Sequence, residues 1–135
     1  EKFEDNVFQI FDHILLFENH QQADVIDILR RYSAARHPIP QSTIFALEHV
    51  VDIPEFSNKV LEVFENMIKN KQIVSDKILY IFVDILYLSD NEQLRKKSFQ
   101  LLDTANDNQD ISDEIFDILE LERAALNINS RSVDS

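Results

Sequence analysis

The chain has 135 residues, 44% of them apolar, with 13 basic against 25 acidic side chains and a formal net charge of −12. The apolar share excludes wholesale disorder, and the negative field disfavours a phosphate backbone or an anionic lipid surface as partner. Cysteine and glycine are both absent, which removes disulfides, thiol nucleophiles and thiolate metal sites along with glycine-rich phosphate loops and G-x-S-x-G elbows.

Average usage would supply roughly nine glycines to a chain of this length. Without them, positive-φ turns lose their usual residue, so tight hairpins are disfavoured and helices joined by short polar turns are expected. Helical periodicity predicts seven helices near 3–17, 21–35, 41–51, 54–70, 75–88, 90–105 and 111–126. Turn and start signals separate them: His37-Pro38-Ile39-Pro40, Asp52-Ile53-Pro54 and Ser89-Asp90. The aperiodic NINSRSVDS at 127–135 reads as a disordered tail or an artificial boundary.

The odd-numbered helices repeat one another. VSDKILYIF at 74–82 returns as ISDEIFDIL at 111–119, and VFQIF at 7–11 and IFAL at 44–47 carry the same pattern upstream. Aligned at steps of 37, 34 and 37, they give a column of Val7, Ile44, Ile78 and Ile115 and a second of Ile10, Leu47, Ile81 and Ile118. Ile14, Val51 and Ile85 make a third. The even-numbered helices align without gaps at steps of 35 and 38. Their columns are Ile26, Leu61, Phe99; Ile28, Val63, Leu101; and Leu29, Phe64, Leu102. Each unit is thus an A helix, a turn and a B helix, near 3–35, 40–70, 74–105 and the half-unit 111–126. One amphipathic pair cannot bury its apolar face alone, whereas stacked copies can, and that explains why the same face is written repeatedly. Residues 78–88 are apolar nearly all round, and Tyr80, Val83 and Tyr87 are expected to be mostly buried there, with an exposed docking patch as the alternative.

SDNEQLRKKSFQLL at 89–102 resembles the B half of a HEAT repeat, through Asp90, Leu94-Arg95, Ser98 and Leu101-Leu102. The second unit keeps Asp52 and Phe56 but has Ser57 in place of the arginine, and the first unit lacks both features. The resemblance is therefore to the broader HEAT/armadillo-like family. It implies an all-α, right-handed α-solenoid of about three and a half two-helix repeats, a curved scaffold that binds proteins with its B helices on the concave side.

No constellation for catalysis stands out. His13, His20, His37 and His49 belong to no H-E-x-x-H or E-x-x-H pattern. The densest polar stretch holds eight acidic residues between 103 and 122. Asn106, Asn108 and Asp110 alternate there as in a calcium loop, but Ile111 occupies the position that needs glycine. Asp110, Asp113 and Glu114 suit a helix start, while Asp113, Asp117 and Glu120 form an acidic face open to a basic partner.

The expected function is a non-enzymatic protein–protein interaction scaffold, a segment of a longer helical-repeat protein. The alternative is an accessory helical domain of a larger enzyme or toxin-like effector with its catalytic part elsewhere, and a carboxylate metal binder is a third option. Equivalent B-helix positions line up as Lys59 with Lys97, Asp27 with Glu62 and Gln100, and Arg31 with Asn66 and Thr104. These mixed-sign rows are the first candidate contact surface, suited to a protein of basic or mixed charge rather than nucleic acid. No cofactor, metal or membrane insertion is expected. The lack of cysteine fits a reducing, cytoplasmic setting.

Overall fold

The computed structural model describes residues 3–18 and 20–134, with side chains described as far as Leu126. Most of its described residues are helical, with no strand among them. The helices are α1 (Asp5–Phe17), α2 (Gln22–Ala34), α3 (Gln41–Val50), α4 (Pro54–Lys69), α5 (Asp76–Leu88), α6 (Glu92–Asn108) and α7 (Asp113–Asp134). Helix α7 runs past the boundary expected near residue 126; the side chains of the expected tail, 127–135, lie outside the described residues. The chain divides into two compact units, Glu1–Gln72 and Ile73–Ser135. In the first, α1 packs mainly on α3 and α2 on α4; in the second, α5 packs on α6 and α7 touches both.

Local chemistry starts the helices. The repeated Ser-Asp pairs are N-terminal signals: Ser75 accepts from the Ile78 amide at the start of α5, and Ser112 accepts from the Ile115 amide at the start of α7. Asp76 and Asp113 follow in the first turns, where the helix dipole favours an acid. Asn91, rather than Ser89 or Asp90, caps α6 by accepting from the Gln93 and Leu94 amides. Pro54 opens α4 at a position where no backbone donor is needed.

At steps of 35 and 38 the B helices bury equivalent positions. Val25, Val60 and Ser98 are equivalent and buried, and so are Leu29, Phe64 and Leu102, and Tyr32, Met67 and Ala105. This corrects the expected column of Ile26, Leu61 and Phe99, of which only Ile26 is buried; the shared buried column lies one residue earlier. Of the A-helix columns, Ile44, Leu47, Val51, Ile78 and Ile115 are buried as expected, and α1 and α5 need a similar correction. In α1 the core residues are Phe8, Phe11 and Leu15, while Ile10 is 58% exposed. In α5 they include Leu79, Phe82 and Leu86, and Ile81 is half-buried. Both helices carry two adjacent apolar stripes, and in α1 the one bearing the rings turns inward, because burying more apolar area is more favourable. Phe8 and Phe11 meet Phe3 and Tyr32 in an aromatic cluster, with Phe3 stacked on Tyr32 at 4.8 Å. Of the residues expected to be buried in α5, Val83 is, Tyr80 is half-buried and Tyr87 is 55% exposed.

Two B helices end identically. The Ala35, Arg36 and His37 amides donate to the Arg31, Ser33 and Tyr32 carbonyls, and the Asn70, Lys71 and Gln72 amides to the Asn66, Ile68 and Met67 carbonyls. Both are Schellman closures, which need a left-handed residue. Without glycine, Arg36 (φ 69°) and Lys71 (φ 64°) take that conformation, as does Gln21 (φ 67°) before α2. The expected loss of positive-φ turns is thereby corrected: ordinary side chains adopt them at a cost. Left-handed backbone costs an L-residue about 1–2 kcal/mol, and glycine's extra unfolded-state freedom returns roughly half of that. Lys71→Gly should therefore raise stability by about 0.5–1 kcal/mol, read as a higher denaturant midpoint at unchanged slope.

A second device also recurs. The Ile39 amide donates to Gln72 Oε1 at 3.1 Å while Gln72 Nε2 donates to the Ile39 carbonyl at 2.7 Å. The Val74 amide and carbonyl make the same two bonds with Gln109, both at 2.9 Å. Each glutamine thus clips the segment that precedes an A helix to the end of the following B helix. Ile39 and Val74 are 2% and 4% exposed, so the clip satisfies main-chain groups that water reaches poorly.

Candidate functional site

The expected contact residues of the first unit lie on α2 and α4, and a residue missed in the sequence organises them. Arg30 donates to Asp27 Oδ1 at 2.5 Å and its other terminal nitrogen lies 3.6 Å from Glu62 of α4. Arg31 reaches Asp27 Oδ2 at 3.1 Å. Asp27 is therefore forked between two guanidiniums, and Glu62 joins it through Arg30. The Nε of Arg30 is buried without a partner among the described residues. The signal for Arg30 was its spacing: three residues after Asp27, on the same helix face.

The hydrogen bond from Arg30 holds the Asp27 carboxyl below its ordinary range; partial burial opposes this, and the charges of Arg31, Arg30 and Lys59 add to it. A carboxyl whose folded pKa is depressed contributes stability above its unfolded pKa and loses it as pH falls through the folded value. Followed by carboxyl NMR, Asp27 should titrate below the ordinary aspartate value of about 3.9, and Asp27→Asn should flatten that part of the acid-unfolding profile.

Asn66 does not stand in the outward row expected of it. Its amide donates to Ser33 Oγ at 3.2 Å and lies 3.5 Å from the Arg30 carbonyl, while Asn70 donates to the Ser33 carbonyl at 2.7 Å. Both asparagines tie α4 to the last turn of α2. Arg31, Lys59 and Glu62 are exposed, so the outward set of this unit is Arg31, Lys59 and Glu62 with Asp27 behind them.

In the second unit, Lys97 and Gln100 are exposed on α6, and the Gln100 carbonyl accepts from Thr104 Oγ1 at 2.8 Å. On the acidic face of α7, Asp113 and Asp117 are exposed. Glu120 bonds Arg123 at 3.0 Å, and Arg123 also bonds Asp103 of α6. Glu120 is thus part of an α6–α7 ion-pair network, which removes it from a face of free carboxylates. Tyr80 donates to Glu114 at 3.0 Å, so this neighbouring acid has an internal role as well.

His13 and His49 are exposed and lie against Phe17 and Phe45 on the outer sides of α1 and α3, and His37 stacks on Tyr32. Among the described residues, no group of three or more histidines and carboxylates is placed to hold a metal ion, and no helix is long and apolar enough to cross a membrane. No family model, curated protein or solved structure matches the chain.

Proposed function

We propose that the chain is a non-enzymatic protein-interaction module, a short α-solenoid of the HEAT/armadillo-like kind that offers exposed B-helix side chains to a partner protein. The observation that carries this reading is the glutamine clip, made once between Ile39 and Gln72 and again between Val74 and Gln109. A helical bundle has no reason to fasten two places in the same way, whereas a stack of equivalent pairs does. The equivalent buried positions of the B helices and the paired Schellman closures support the same reading.

On this reading Arg31, Lys59 and Glu62 present both signs on neighbouring helices, with Arg31 and Glu62 tied to the Asp27–Arg30 pair, and suit a polar protein surface of basic or mixed charge. Lys97 and Gln100 are the equivalent positions on α6. A photo-reactive side chain at Lys59 or Glu62 should give a discrete protein adduct in cells, with the same group at Asp52, in the α3–α4 turn, giving none. Adducts from neither B-helix position would sink the assignment of this surface.

A further inference from the structure

The positive charge of the first unit is segregated. No acidic residue occurs between Asp27 and Glu48, a stretch holding Arg30, Arg31 and Arg36, or between Glu65 and Asp76, a stretch holding Lys69 and Lys71. The fold brings both stretches together at the C-terminal ends of α2 and α4. There Arg36, Lys69 and Lys71 line one cleft with Asn66 and Asn70. Across the Ser33–His37 turn, a hollow is lined by Phe3, Ile28, Arg31, Tyr32 and His37. Arg36, Lys69 and Lys71 are exposed, and none of the three makes an ion pair among the described residues.

A lysine in a last helical turn is ordinarily accounted for by the partial negative charge of the terminal carbonyls. That account fits Lys69 but not the other two. Arg36 and Lys71 lie beyond the helices, and the carbonyls there are already bonded by the Schellman amides and by Asn70. Both also hold costly left-handed backbone, so the matching closures fix the two cations in equivalent positions. A cluster of unpaired cations on a chain of net charge −12 attracts an acidic ligand locally while the rest of the surface repels extended polyanions. The adjoining hollow is walled by apolar and aromatic side chains, which gives such a ligand an apolar anchor point.

We infer that this end of the first unit binds an acidic peptide segment of a partner protein, its carboxylates on Arg36, Lys69 and Lys71 and one apolar or aromatic side chain in the hollow of Phe3, Tyr32 and His37. The inference rests on the reading of the chain as a protein-binding module, and it places a contact at the helix ends rather than on the outward faces of α2 and α4.

The probe is a fluorescently labelled peptide of about twelve Asp and Glu residues with one central Phe, followed by anisotropy at low salt; the variant is Arg36→Gly/Lys69→Ala/Lys71→Gly, in which glycine suits the left-handed positions. Wild-type protein should bind the peptide, more weakly as salt rises, and the triple variant should bind it at least about tenfold more weakly. Replacing the peptide's Phe by Ala should weaken binding several-fold, and a dT oligonucleotide of equal length should bind less well than the peptide. Helical circular dichroism checks the variant's fold; if the fold is lost, Lys69→Glu alone should still weaken binding measurably. The inference is overturned by no wild-type binding, by affinity unchanged in the triple variant or in a folded Lys69→Glu, by indifference to the Phe, or by tighter binding of the oligonucleotide. Protein adducts at Lys59 with unaltered peptide binding by the triple variant would sink this site alone, and adducts at neither Lys59 nor Glu62 would remove the outward surface instead.

Discussion

Phe82→Ala should destabilise the protein by about 3–5 kcal/mol, and its neighbour Ile81→Ala by well under half as much. Phe82 is 1% exposed and lies on the inward stripe of α5 with Leu79 and Leu86, whereas Ile81 is half-buried. Removing the ring deletes its transfer free energy and leaves a hole that close-packed neighbours fill only in part. At Ile81 the shortened side chain already borders solvent, so no closed cavity forms. The pair is measured by chemical denaturation of the two single variants, and equal losses would mean that the stripe of Ile78, Ile81 and Ile85 is the true core face. The same logic separates Phe11→Ala from Ile10→Ala in α1, where Ile10 is 58% exposed.

Gln72→Ala is expected to cost about 2–3 kcal/mol, an unusual amount for a polar side chain in a turn. It removes two hydrogen bonds at once and strands the amide and carbonyl of Ile39, whose residue is 2% exposed. A stranded buried group costs about 1–3 kcal/mol, more than the net worth of the bond itself. Gln72→Glu separates the two halves of the clip, since it keeps an acceptor for the Ile39 amide but offers no donor to the carbonyl. It should lose stability as well, and recover part of it at low pH where the carboxylic acid regains a proton to donate. Gln109→Ala should behave likewise through Val74. Losses below about 0.5 kcal/mol in both variants would show that water replaces the amide freely.

The B helices were more legible than the A helices for a physical reason. QQADVIDIL, FSNKVLEVF and LRKKSFQLL each interrupt their apolar residues with charge, which leaves few ways to turn a face inward. Leu29, Phe64 and Leu102 all came out fully buried as expected. In α3 the expected Ile44 and Leu47 are buried, with Val51 just past the helix end, and Glu48 is buried beside them. By contrast α1 and α5 have apolar side chains on two adjacent stripes, and the three-residue period alone does not say which is inside. Packing decides, through the aromatic cluster with Tyr32 in α1. Among the candidate contact residues, exposure was readable for Arg31, Lys59 and Glu62 because they sit opposite the buried columns. The role of Asn66 was not, because it depends on Ser33 and the Arg30 carbonyl, which are more than thirty residues away. Nor was the clip, since nothing in a turn glutamine announces which distant backbone it will meet.

The clip also bears on how the protein opens. Ile39 and Val74 belong to no helix, and connecting segments are normally the first to exchange their amide hydrogens. Here those two amides donate to Gln72 and Gln109 and are covered by nearly inaccessible side chains. Each can exchange only after the end of a B helix has come away from the segment in front of an A helix. In a hydrogen-exchange map, two isolated slow amides in the connections would then report the separation of helical pairs, while the amides at the frayed first turns of the helices exchanged ahead of them.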